Sequence, residues 1–157
     1  MAKTERYYVG PILKELTELV AGVLEPQYGR DGAELNPVFS GCRPSTVENM
    51  SEFIVVSASR SVYSHGPYQN AAIYFDFFVR NGQGGIEMTY RLQEICDAIT
   101  ALLPHFNVDE ESGEKRWSVS RPKLVIQGND SLGFTAWRLR ARLFVNTTDR
   151  YATISDI

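Results

Sequence analysis

Along residues 71–80, AAIYFDFFVR, the side chains Ile73, Phe75, Phe77 and Val79 fall on one side and Tyr74, Asp76, Phe78 and Arg80 on the other. That period of two marks a strand with one buried face. Residues 86–103 follow a different period. Met88, Leu92, Ile95, Cys96, Ile99, Leu102 and Leu103 form one stripe at three-and-four spacing, Arg91, Glu94 and Asp97 face away, and Pro104 closes the run, which predicts an amphipathic helix. A second helix is expected over residues 11–24, where Ile12, Leu16, Leu19, Val20 and Val23 share a stripe and Pro11 suits the first turn. Residues 53–62, 117–127 and 134–145 read as further strands, the first joined to 71–80 through SHGPYQN and the last two joined as a hairpin through GNDSLG.

Residues 25–52 stand apart, with Gly29, Gly32, Pro37, Gly41 and Pro44 among few apolar anchors. They read as an extended arm or long loop, with a short strand at PVFSG, and a segment of that length inside a compact domain points to function or to contact with another chain. The expected order is helix, arm, strand, strand, helix, strand, strand. That is an α+β domain with an antiparallel sheet of about four strands and helices packed on one face. A chain of 157 residues suits a single domain with a real core.

Composition narrows the function classes. A net charge of −3 gives no global attraction to nucleic acid or anionic lipid, so any such binding must be local and no sequence-specific nucleic-acid contact is expected. The start, MAKTERYYVGPILKELTELV, carries charges where a signal peptide needs an unbroken apolar run, and no later run reaches the length of a membrane span, which predicts a cytoplasmic chain. Cys42 and Cys96 lie in unlike segments, against a disulfide. With two histidines and no C-x-x-C or H-x-x-x-H spacing, neither a metal site nor a cofactor is expected.

The most motif-like segment, NGQGG at residues 81–85, fails as a phosphate cradle. No lysine follows it as in a P-loop, and Glu87 occupies the place of the third glycine of a dinucleotide fingerprint, where its carboxylate would repel phosphate. The segment therefore reads as a strand-to-helix connection. His65 and His105 have no activated nucleophile beside them in sequence, and the acidic run DEESGE at 109–114 reads as an exposed loop. One pattern remains. Arg138, Arg140 and Arg142 alternate along a strand and share a face with Ala136 and Phe144, while Trp137, Leu139, Ala141 and Leu143 take the other. Three guanidinium groups in a row repel one another unless they are solvated or paired, and Asp76 or acids of a neighbouring subunit are candidate partners.

The layout, and the stretch PVFSGCRPSTVENMSEFIVVSASRSVYSHGPYQNAAIYFDFFVRNGQGGIEMTYRLQEICDAITALLP, resembles the small tail terminator and tail completion proteins of long-tailed bacteriophages and prophages. The resemblance covers nearly the whole chain and rests on element order, with no invariant motif. It implies a non-enzymatic α+β subunit that assembles in the host cytoplasm into a ring, usually hexameric. The ring would sit in the virion, capping the tail tube at the head–tail junction beside tail tube and connector proteins. Arg138, Arg140, Arg142, Asp76 and Arg43 are then the candidates for a subunit interface or a channel lining. A head–tail connector remains the runner-up in the same setting. From other classes, a monomeric α+β binding module stays open, and so does a small enzyme if His65, Asp76 and an arginine converge.

Overall fold

The computed structural model describes residues 9–42, 50–59, 63–65, 68–108, 110–113, 115–129 and 132–146. Helix α1 (Val9–Val20) runs through a short 3-10 turn into an arm bearing strands β1 (Gln27–Tyr28), β2 (Glu34–Leu35) and β3 (Val38–Ser40). Then come β4 (Glu52–Ala58), β5 (Tyr63–His65), β6 (Tyr68–Arg80), α2 (Thr89–Ala101), β7 (His105–Val108), β8 (Lys115–Asn129) and β9 (Phe134–Asn146).

The class is α+β, mostly sheet with two helices, but the sheet is larger and less regular than expected. Its path runs β3-β4-β6-β9-β8-β7, six strands curled into a half-barrel, with β5 paired to the start of β6. It is mixed, because β3 lies parallel to β4 while the other pairs are antiparallel. The expectation of about four antiparallel strands left two members of this path out of the sheet: β3, expected as the short strand at PVFSG but not as a parallel neighbour of β4, and β7, not expected as a strand at all. Strands of three and four residues are too short to show which sheet they join, and β7 follows a proline inside text that reads as polar loop. SHGPYQN, expected as a loop, contributes to a β5–β6 hairpin with Tyr63 opposite Asn70.

One face of the sheet carries both helices. Ile73, Phe75 and Phe77 of β6 are fully buried there with Ile54 and Val56 of β4 and Leu139 and Leu143 of β9. Leu16 and Val20 of α1 and Leu92, Ile95 and Ile99 of α2 close over them. The helix expected over 86–103 spans only Thr89–Ala101, its start delayed because Ile86 is extended at φ −68° and ψ 127°. Met88 therefore leaves the predicted stripe and is exposed.

The opposite face holds a second, smaller cluster. Phe53 stacks on Phe78 with ring centroids 4.4 Å apart and meets Phe134 edge-on at 5.1 Å, while Leu35 and Phe39 of the arm pack against this group. Buried on both sides, β4 reads as a continuous apolar run, FIVV, instead of alternating.

Polar contacts stitch the arm down. The Gln27 amide donates to the Glu52 carbonyl at 2.6 Å and accepts from the Ser51 N–H at 2.8 Å. Arg91, expected to face away from the core, donates instead to both carboxylate oxygens of buried Glu52, at 2.7 and 2.8 Å. The Glu25 N–H reaches the same carboxylate at 3.0 Å. This bond to Glu52 outweighs desolvation and holds the Arg91 pKa above its ordinary value.

Candidate functional site

The face away from the helices changes character along its length. Cross-strand registers arrange it as rows, and the phenylalanine cluster occupies the row that contains Phe53 and Phe78. In the next row Asp76 of β6 stands opposite Arg138 of β9. Two guanidinium nitrogens of Arg138 donate to the two carboxylate oxygens at 2.6 and 2.9 Å, the bidentate geometry that makes such pairs strong. That hydrogen bonding raises the Arg138 pKa above its usual range against an opposing desolvation.

The row beyond it has no acid. Tyr74 of β6, Arg140 of β9 and Lys123 of β8 lie directly across from one another. The Arg138 guanidinium also sits over the Tyr74 ring, 4.4 Å from its centroid, a cation–π contact. One row further, Arg142 faces Ala72 on one side and Ser120 on the other. These rows line a concavity of about 520 Å³ whose described walls include Ser59, Asn70 and Arg121 besides Tyr74, Lys123, Arg140 and Arg142, and no carboxylate.

A bulge brings Arg121 to this wall. Between the pairs Ser120–Arg142 and Lys123–Arg140, β8 has two residues where β9 has one. Arg121 there takes φ 56°, the left-handed region that a side chain disfavours. Bulges bend a strand and re-aim its side chains. A second register shift sits between Leu124 and Ile126, at Val125.

The candidates from sequence fall as follows. Arg138, Arg140 and Arg142 do share one face, and Asp76 meets the first of them but not the other two. Arg43 lies outside the described residues, as does the His65 side chain. His105 is engaged elsewhere, its Nε2 lying 2.7 Å from a Glu15 oxygen of α1, with Asn107 donating to the other at 2.7 Å. In NGQGG the amides of Gly82 and Gly85 bond within the loop, to Ile86 and Gly82 carbonyls. Asn81 ties it to Thr135 at 2.6 Å and Asn129 at 3.0 Å, so the segment works as a turn pinned to the last hairpin.

Sequence reading missed Arg121, Lys123 and Tyr74 as members of the arginine group. The available signal was Arg-Pro-Lys inside a strand, since proline in a strand marks an edge or a bulge. No protein-family model matches the chain, and no curated protein matches it.

Proposed function

We propose that the chain is a structural virion protein that forms a ring, acting as a tail terminator that caps the tail tube at the head–tail junction. The observation that carries this reading is an open strand edge. β7 pairs only with residues 115–119 of β8, so among the described residues the stretch 120–129 has β9 on one side and no strand on the other. Val125, Ile126 and Leu132 are exposed on this projecting hairpin, at 40%, 52% and 64%. An open edge with apolar side chains is a template for another chain.

Among the described residues β3, at the opposite end of the sheet path, pairs only with β4 and presents a second edge. Contact between such unlike surfaces is heterologous, and heterologous contacts close into rings where the rotation from one subunit to the next closes, and run into filaments where it does not. Six subunits, the tail tube and connector proteins as neighbours, and a site in the tail or neck of the particle follow from the resemblance in layout. On this reading the chain performs no reaction, and the arginine face lines the channel or adjoins a subunit contact. A neck connector would share the fold and differ in where the ring docks.

The basic concavity favours one reading from another class, a monomeric α+β module that binds an anion there. The small-enzyme reading has less support, because Asp76 is already held by Arg138. Mass in solution separates ring from monomer. The proposal expects concentration-dependent self-association that Val125→Asp with Ile126→Asp abolishes while the fold persists. A parent that stays monomeric at every concentration, alone and with tail tube protein, would overturn it.

A further inference from the structure

We infer that the concavity around Arg121, Lys123, Arg140 and Arg142 binds the phosphate backbone of single-stranded nucleic acid without reading its sequence. Four cations converge on one wall with no carboxylate among its described residues. Lys123 and Arg140 stand directly opposite each other in the ladder, an arrangement that costs stability between like charges. Among the described residues no carboxylate lines the wall to offset that pair; an anionic ligand would.

The neighbouring row shows the contrast, because Arg138 has its carboxylate from Asp76 within the chain. Arg140 and Arg142 lie two residues apart on one strand, about 7 Å along it, so a linear polyanion can meet them in turn. Three of the four cations are arginines, whose planar fork takes two oxygens of one phosphate. Tyr74 lies in the same wall with one face of its ring covered by Arg138, leaving at most the other face for a base, and cations with aromatics are what single-strand sites combine.

Size and shape choose among anions. A concavity of about 520 Å³ cannot admit a duplex and does not fit a flat bilayer, yet it lies in the range of roughly 300–1,000 Å³ of ordinary ligand sites and accommodates a few unstacked nucleotides. With a net charge of −3 for the whole chain, no global field draws a polyanion in, so its binding has to rest on a local cluster of cations such as this one. One subunit supplies every residue, so the inference holds whether or not the chain forms rings, and a mass measurement on the same samples reports assembly separately.

The test is fluorescence anisotropy of the full chain with a dye-labelled, mixed-sequence DNA strand of about 12 nucleotides, a length within known single-strand site sizes. Binding at low salt is expected, weakening with a log–log salt slope of about −2 to −3 for three to four phosphate contacts. Arg140→Glu with Arg142→Glu should weaken it more than tenfold. Lys123→Gln, the milder change, should lower the slope by about 0.7. Lys14→Glu, an exposed charge change on α1, should leave binding within twofold. Circular dichroism checks that each variant folds. No binding at low salt, undiminished binding by the double glutamate variant, or occupation of the site by inorganic phosphate or polyglutamate with the strand excluded would each overturn the inference.

Discussion

The two faces of the sheet meet opposite fates although the same strands build them. On the helix side every inward position of β6 from Ile73 to Val79 is apolar and buried, and α1 and α2 complete the burial. On the other side β6 offers Phe78, Asp76 and Tyr74 in turn, and what covers each differs: arm residues near Phe78, a single arginine at Asp76, and open concavity at Tyr74. A face that is uniformly apolar is explained by burial alone. A face whose polarity changes by row needs a separate account of each row.

The sharpest way to break this contrast is a charge on the helix side. Ile95→Asp places an unpaired carboxylate at a site with no exposure. It should cost several kcal/mol, a large part of a typical domain stability of about 5–15 kcal/mol. A melting curve like the parent's would mean that α2 does not close the core. Phe53→Ala asks whether the open face has a core of its own. Phe53 is fully buried between Phe78, Phe134 and Phe39, so its truncation should cost about 3–5 kcal/mol in a denaturant melt. A loss below about 1 kcal/mol would reduce the phenylalanine row to surface decoration.

Legibility in the sequence followed the same division. Period-two and period-three-and-four patterns need several turns or pairs to register, which is why β6, β9 and α2 were readable, β3 was readable only as an isolated short strand without its sheet partner, and β7 was not readable. The arginine face on β9 was readable for the same reason. Its partner wall was not, because the bulge at Arg121 and Pro122 shifts the alternation of β8. Arg91 illustrates a different limit. Its position on the polar side of α2 was legible, but the carboxylate it meets comes from Glu52, 39 residues away, and no local pattern reports a distant partner.

That ion pair gives the next test, since the molecule contains the same chemistry in two settings. The Glu52 side chain is 5% exposed beneath Arg91, whereas the Asp76 and Arg138 side chains are 18% and 34% exposed. Arg91→Ala leaves a buried carboxylate without its partner and should cost about 3–5 kcal/mol. Asp76→Asn, nearer solvent, should cost about 1 kcal/mol or less. Equal losses in paired thermal melts would show that burial does not distinguish the two pairs.

The smallest effect is the most telling about the open face, because its sign is opposite to the others. Lys123 and Arg140 are exposed like charges at directly paired positions of β8 and β9, and such pairs destabilise a ladder. Lys123→Glu turns repulsion into attraction at a site where no packing is lost. It should stabilise the domain by about 0.2–1 kcal/mol, a rise in Tm of about 1–3 °C for a chain of this size. Added salt screens exposed charges, so it should raise the parent's Tm relative to the variant's and narrow the gap. A variant that melts below the parent at low salt would mean that Lys123 is already satisfied within the folded chain. The wall would then be an ordinary solvated surface, and the contrast between its row and that of Asp76 would disappear.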